Sequence, residues 1–196
     1  MVTIPLVLDS SALGKLCHPK QPKNRSFVEA VTELSGSATP YADNCAPAIA
    51  EYELRRKFLR LVGRNQASLV SVERLDDLCS ELWLLARSRH VLRLAAGYWS
   101  ELRRRGLPTD ASASPDADVI LAAQAATIGG WVVTSTFRHL IRLIPVIRSE
   151  DIGRPHARRV PARSDNVPPA EFEQTVRNTI GPVWIHPNQL PFSGLQ

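Results

Sequence analysis

The sequence contains no run of about 18 apolar residues, the length that a transmembrane helix requires. It also has no basic segment ahead of an apolar one in Met1-Val-Thr-Ile-Pro, so we expect no secretory signal. Only three cysteines occur, and their odd number and wide spacing favour free thiols over a disulfide framework. Together these absences predict a soluble, cytoplasmic protein with no membrane partner.

The composition is that of a folded protein, with 44% hydrophobic and 22% charged residues in a chain of 196. The net charge is +5, and because five basic and five acidic residues cancel from Glu150 onward, the whole surplus lies in residues 1–149. Seven of the 15 prolines also fall after Ser149. We therefore predict a domain over 1–149 and a proline-rich extension over 150–196, with a short helix at about 169–180.

Short apolar runs alternate with segments of helical periodicity along most of the domain. The predicted strands are 2–8, 90–92, 131–134 and 143–147. The predicted helices are 26–34, 47–62, 66–87, one running through Trp99 to Gly106, and one from Asp116 to Gly129. Such alternation is typical of a parallel sheet covered by helices, so we expect an α/β fold.

Acidic residues stand where a parallel sheet would gather functional side chains. Asp9 directly follows the first predicted strand, and the carboxyl ends of parallel strands share one crevice. A phosphotransfer fold of the haloacid dehalogenase type would need a second acid at position 11, where this chain has Ser11. A receiver domain would need an acidic pair and a later lysine that have no counterparts here. Asp9 therefore needs partners from elsewhere in the chain.

Two other segments supply carboxylates, at Glu51 and Glu53 and at Asp116 and Asp118. Carboxylates that meet within a few ångströms repel one another, and they either bind cations or take up protons. Oxygen ligands of this kind suit Mg²⁺ or Mn²⁺. Because such an ion can activate water toward phosphate, the acids predict metal-dependent hydrolysis of phosphodiesters.

Four short motifs occur in the order and roughly the spacing of the PIN domains, which the sequence resembles, particularly the VapC-like ribonuclease toxins of toxin–antitoxin pairs. The motifs are Val7-Leu-Asp9-Ser-Ser-Ala-Leu13, Glu53-Leu-Arg-Arg56, Asp118-Val-Ile-Leu-Ala-Ala123 and Val132-Val-Thr134-Ser-Thr-Phe-Arg-His-Leu140. The resemblance covers about residues 3–150. It implies a three-layer α/β/α sandwich with a mostly parallel central sheet, an Mg²⁺ or Mn²⁺ site, cleavage of single-stranded RNA, and an antitoxin that blocks the site. We also expect a homodimer.

By this resemblance Asp9, Glu53 and Asp118 are the three metal-binding and catalytic acids. Glu53 is preferred because it precedes Leu-Arg-Arg as the family's glutamate does, although Glu51 lies on the predicted inward face of its helix. Asp116 is an alternative to Asp118 or a further metal ligand beside it.

The fourth position departs from the family pattern. Where the family commonly has Asn or Asp two residues after a threonine, this chain has Thr136 after Thr134. A threonine can hold a water molecule but carries no charge. Ser10, Thr134 and Thr136 are therefore candidates for orienting water or phosphate. Two alternatives to a toxin ribonuclease follow: a PIN-like binding or assembly module with impaired catalysis, and a PIN nuclease outside any toxin–antitoxin pair.

Each assignment also has a purely structural alternative. Asp9 could cap the helix that follows it, and Asp116 and Asp118 could be favourable charges in a helix's first turn. Arg55 and Arg56 could contact RNA phosphates, but we expect them to solvate a helix face. Three tryptophans stand among apolar neighbours and are expected in the core: Trp83, Trp99 and Trp131.

Overall fold

The computed structural model of the chain describes residues 5–18, 20–36, 44–62, 67–104, 115–136, 140 and 143–152. Within them lie five strands, six α-helices and one 3₁₀ turn at Pro22–Asn24. The strands are β1 (Leu6–Leu8), β2 (Asn44–Pro47), β3 (Trp83–Leu85), β4 (Trp131–Thr134) and β5 (Val146–Arg148). The helices are α1 (Ser10–Cys17), α2 (Arg25–Gly36), α3 (Ala48–Val62), α4 (Ala67–Glu81), α5 (Arg89–Arg104) and α6 (Pro115–Thr127).

The strands form one parallel sheet in the order β3-β2-β1-β4-β5. Strand β1 lies at its centre, where Val7 is opposite Cys45 of β2 and Val132 of β4. Parallel strands require crossover connections, and here helices supply them and cover the sheet. The expected α/β class with a parallel central sheet is confirmed.

Side chains of β1 alternate between the two faces of the sheet, as the period of a strand requires. Leu6 and Leu8 pack in a buried cluster with residues of α1, α2, α3 and α4. Val7 packs in a second cluster, with residues of α5 and α6. Two helical layers therefore enclose the sheet in a three-layer α/β/α arrangement, as expected.

The predicted helix over 66–87 is too long. Helix α4 ends at Glu81, and the chain continues into β3 at the edge of the sheet. Strand β3 has only three residues, and Trp83 and Leu84 in it are 58% and 52% exposed. A strand this short and this exposed has no alternation of its own, which explains why helical periodicity extended over it.

The predicted strand over 90–92 is wrong, because these residues form the start of α5. Val91, Ala95, Tyr98 and Leu102 are buried at helical spacing along α5. Trp99, expected in the core, is 39% exposed beside this buried face, and the expectation for Trp83 is wrong as well. Trp131 is half-buried at the start of β4. Strand β2 is not predicted from the sequence, because Asn44-Cys-Ala-Pro47 contains no large aliphatic or aromatic side chain.

The described chain continues past the predicted domain boundary as far as Ile152, which is buried in the cluster around Leu6 and Leu8. The predicted helix at about 169–180 lies outside the described residues, as does most of the predicted extension. In the part of the chain that is described, no helix is long and apolar enough to cross a bilayer.

Candidate functional site

The site begins where the two central strands end. The Asp9 amide, one residue beyond β1, donates to the Val133 carbonyl of β4 at 3.1 Å. Asp9 has an extended backbone and is the N-cap of α1. The strand end and the helix start thus place its carboxylate beside Thr134, the last residue of β4.

Both carboxylate oxygens of Asp9 accept hydrogen bonds. Oδ1 accepts from the Ala12 amide and from the Ser11 hydroxyl, each at 2.7 Å. Oδ2 accepts from the Thr134 hydroxyl. The structural alternative for Asp9 is therefore realised, since it caps α1, and the same side chain also faces β4.

Asp9 is 7% exposed, and burial raises the pKa of its carboxyl above the ordinary value. The hydrogen bonds from Thr134, Ala12 and Ser11 act the other way, because they stabilise the charged form. Burial has the larger effect. A cation near Asp9 would offset that cost.

The Ser11 and Thr134 hydroxyls, which donate to Asp9, themselves accept hydrogen bonds from the segment after β4. The Thr136 amide donates to the Thr134 Oγ1 atom at 2.9 Å, and the Ser135 amide donates to the Ser11 Oγ atom at 2.9 Å. Thr134 is fully buried, so its hydroxyl is committed to Asp9 and does not face solvent. The Thr136 side chain is exposed.

A chain of hydrogen bonds ties β5 to the same segment. The Ser135 and Ser149 hydroxyls are 2.8 Å apart, and the Lys15 Nζ atom donates to the Ser149 Oγ atom at 2.5 Å. Lys15 belongs to α1, so α1, β4 and β5 are joined by polar contacts next to Asp9. This arrangement limits how far the Asp9 carboxylate can move.

Glu53 reaches the site from α3. Burial is the main cause of a raised pKa at Glu53, and the negative charges of Asp118 and Asp9 raise it further. The Ser10 hydroxyl donates to its carboxylate and, with Arg56, favours the charged form. Glu53 therefore lies near enough to both Asp118 and Asp9 to be repelled by their charges.

Glu51, the alternative to Glu53, has a different environment. Its Oε1 atom accepts from the Arg55 Nη2 atom at 2.8 Å, and the same nitrogen lies 2.5 Å from the Asp76 Oδ1 atom of α4. These bonds raise the pKa of Arg55, first through Asp76 and then through Glu51. Glu51 and Arg55 thus join α3 to α4 and lie apart from Asp9.

Asp118 is half-buried on α6, and Asp116 is in the first turn of the same helix. The side chain of Asp116 lies outside the described part of the structure.

The donors of Asp9, Glu53 and Asp118 are carboxylate oxygens, which suit Mg²⁺ or Mn²⁺ chemically. Among the described residues, however, no three metal-binding side chains are close enough together to form a ready cage. Mg²⁺ usually keeps several waters and takes only one or two carboxylates, so the donor set still fits it.

An open cleft of about 610 Å³ adjoins Glu53. Ser10, Ser11 and Glu53 line one part of it, and the rest is lined by residues of α3: Leu54, Arg56, Lys57 and Arg60. Arg56 also lies over the Tyr52 ring, 5.5 Å from its centroid. The expectation that these arginines solvate a helix face fails for Arg55, which is paired with Glu51 and Asp76, whereas the exposed Arg56 is compatible with it.

The thiols are not candidates for catalysis. Cys17 and Cys45 are buried, Cys79 is half-buried, and all three are free, as expected from their spacing. Burial raises the pKa of Cys17 to about 12 and that of Cys79 to about 11. Both therefore stay protonated at neutral pH.

Sequence reasoning missed several residues of the site: Ser11 as a partner of Asp9, Lys15 and Ser149 behind it, and Lys57 and Arg60 in the cleft. A signal existed for the last two. They follow Glu53 by four and seven residues, which places all three on one side of a helix. The contact between Lys15 and Ser149 spans 134 residues and carries no local signal.

Fold and site together define a parallel three-layer α/β domain with Asp9 at the carboxyl end of its central strand and with Glu53 and Asp118 on two of its helices. Several solved structures share this fold, including the following three. VapBC2 from Rickettsia felis, bound to a promoter DNA fragment, matches with a TM-score of 0.56 and 14% identity, over 74% of this chain and 98% of that one. DNA-bound VapBC from Salmonella typhimurium matches at 0.57 and 19%, over 76% and 99%. FitAcB from Neisseria gonorrhoeae matches at 0.54 and 20%, over 74% and 98%. No protein-family model matches the sequence, and no curated protein is significantly similar to it.

Proposed function

We propose that this chain is a cytoplasmic, metal-dependent endoribonuclease and the toxin of a toxin–antitoxin pair. The observation that carries the proposal is the proximity of Glu53 to both Asp9 and Asp118, carboxylates that come from three separate elements. The structural likeness to VapBC and FitAcB, which are toxin–antitoxin assemblies, supports the biological context.

Each side chain has a defined part in the proposed reaction. Asp9, Glu53 and Asp118 hold the Mg²⁺ or Mn²⁺ ion, with Asp116 as a possible further ligand. The bound ion supplies Lewis-acid stabilisation of the phosphate and a more acidic water. Ser10 orients Glu53, whereas Ser11 and Thr134 orient Asp9. The exposed Thr136 hydroxyl is left to orient water.

Cleavage of structured RNA by the purified protein with Mn²⁺ tests the proposal. We expect Asp9→Asn and Asp118→Asn to abolish cleavage, and EDTA to abolish it in the wild type. Asp77→Asn is the matched control, because Asp77 is exposed on α4 and does not line the cleft. Cleavage that persists in EDTA, or in both site variants, would overturn the mechanism.

A second candidate function is a binding module that does not cleave RNA. It is favoured by the lack of a ready three-ligand metal cage among the described residues and by Thr136 in place of an acid. Calorimetric titration with Mn²⁺ separates the two. Binding that disappears in Asp9→Asn, together with metal-dependent cleavage, would exclude the second candidate.

We also propose a cognate antitoxin and a homodimer, as the family resemblance implies. The neighbouring gene provides a simple test: a small adjacent open reading frame for a DNA-binding protein is expected. Its product should co-purify with this chain and suppress cleavage. A nuclease without such a neighbour would instead act outside any toxin–antitoxin pair. Light scattering of the purified chain tests the dimer.

A further inference from the structure

The positive charges of α3 fall into two groups. Arg55 is held between Glu51 and Asp76, as described above. Arg56, Lys57 and Arg60 are exposed and line the cleft beside Glu53. Within the described part of the chain, Lys57 and Arg60 have no carboxylate within salt-bridge distance.

The three cleft cations are close neighbours on the helix. Arg60 follows Arg56 by four residues and Lys57 by three, spacings at which like charges repel. This repulsion would be relieved by an anion that reaches several of them at once. The arrangement therefore favours a ligand with repeated negative charges.

The cleft also places these cations beside Glu53, the one proposed metal-binding acid among its described lining residues. Glu53 and Ser10 line one part of it, and along the axis of α3 Lys57 lies about 6 Å and Arg60 about 10 Å beyond Glu53.

We propose that Arg56, Lys57 and Arg60 bind the phosphates of a single RNA strand on one side of the bond that is cut. This inference rests on the proposed ribonuclease function and assigns part of its substrate site. The described residues that line the cleft include no aromatic ring on which a base could stack. The contacts of these three cations are therefore to the RNA backbone, and their contribution to the affinity is independent of base sequence.

Binding of a fluorescently labelled, short single-stranded RNA in EDTA tests the proposal without cleavage. We expect Lys57→Gln with Arg60→Gln to weaken binding about 25-fold at 0.1 M salt, the contribution of counterion release from two phosphates. The slope of log affinity against log salt should become shallower by about 1.4. The change should be the same for RNAs of different sequence.

The matched control is Lys23→Gln with Arg93→Gln, which removes the same two charges from exposed positions outside the cleft. It should leave the affinity and the salt slope unchanged. A charge-preserving exchange, Lys57→Arg with Arg60→Lys, should restore most of the binding. Equal losses in the control and the cleft variant, or no loss in either, would overturn the proposal.

Two competitors identify the ligand class. Inorganic phosphate should displace the RNA only weakly, because it cannot reach several cations at once. A glutamate-rich peptide that binds more tightly than RNA, and depends equally on Lys57 and Arg60, would overturn the proposal in favour of an acidic protein partner.

Cleavage kinetics separate this proposal from the ribonuclease function. If both hold, the cleft variant raises KM and leaves kcat unchanged. Cleavage by the cleft variant with an unchanged KM would overturn the proposed phosphate contacts but not the proposed ribonuclease function. If the wild-type protein binds RNA through Lys57 and Arg60 but does not cleave it, the ribonuclease function is overturned and the phosphate contacts are supported.

Discussion

At the scale of single residues, burial and hydrogen bonding act on Asp9 in opposite directions, and burial has the larger effect on its pKa. The folded state therefore binds the Asp9 proton more tightly than the unfolded state. The stabilising contribution of the protonated form is complete below the ordinary pKa of about 3.9 and is lost as pH rises through the raised value.

Asp9→Asn removes this pH-dependent loss, because asparagine carries no charge. We expect the free energy of unfolding of the variant, relative to wild type, to increase as pH is raised from about 4 toward 7. Urea titrations over this range measure the difference. A difference for Asp9→Asn that stays constant or falls with pH would contradict the raised pKa.

Thr134 tests the hydrogen bonds that hold Asp9. Thr134→Val keeps the shape of a fully buried side chain but leaves the Asp9 Oδ2 atom without its donor. We expect a loss of about 1–3 kcal/mol in the free energy of unfolding. Thr32→Val, at an exposed hydroxyl that donates to the Val28 carbonyl, should change stability by less than about 0.5 kcal/mol. Similar effects in both variants would exclude a special role for Thr134.

At the scale of elements, the position of β4 beside β1 depends on two consecutive glycines. Gly129 has a φ of +62°, with open space where a Cβ would be. At Gly130 a Cβ would lie 2.8 Å from the Val7 Cγ2 atom and 3.1 Å from the Pro5 carbonyl oxygen. Gly129 thus turns the chain, and Gly130 lets β4 approach β1.

The two glycines give a matched pair of variants. Gly129→Ala should cost about 1–2 kcal/mol of stability through backbone strain alone and leave the site unchanged. Gly130→Ala should cost about 1–3 kcal/mol and also displace β4, which separates Thr134 from Asp9 and lowers activity. Chemical denaturation and cleavage assays on both variants measure these effects. Equal activity in the two would show that the spacing of β1 and β4 does not control the site.

How far the sequence predicted each element depended on its length and burial. Helices α3 and α6 were predicted nearly to their ends, because several buried residues repeat at helical spacing or clear signals mark the start and stop. Strand β2 is missed because Asn44-Cys-Ala-Pro47 has no large aliphatic side chain, and β3 is merged into a helix because it is largely exposed, whereas the equally short β1 and β4 are buried apolar runs. Asp9 was predicted from its place after a buried strand. Its contact with Thr134 depends on the pairing of β1 with β4, which only the folded chain reveals, whereas its contact with Ser11 is local, at the start of α1.

At the scale of the whole molecule, the two buried clusters on either face of the sheet are built from described residues, the last of which is Ile152. Because the sequence predicts a proline-rich extension after Ser149, we expect a chain ending at residue 152 to keep the melting temperature of the full chain within a few degrees. A chain ending at Ser149 also loses buried Ile152 and should be less stable by about 1–3 kcal/mol. Thermal unfolding of both truncations measures this. A collapse of the longer truncation would show that residues 153–196 belong to the folded domain.

The hydrogen bonds at Asp9 also limit how many lone pairs of its carboxylate remain free to bind a metal ion. A carboxylate offers about four lone-pair directions, and the Ala12 amide and the Ser11 and Thr134 hydroxyls occupy three of them. One direction remains, on Oδ2. Under the proposed function Asp9 would therefore offer a metal ion a single lone pair, and we expect titration with Mn²⁺ to give a stoichiometry of one divalent ion per chain.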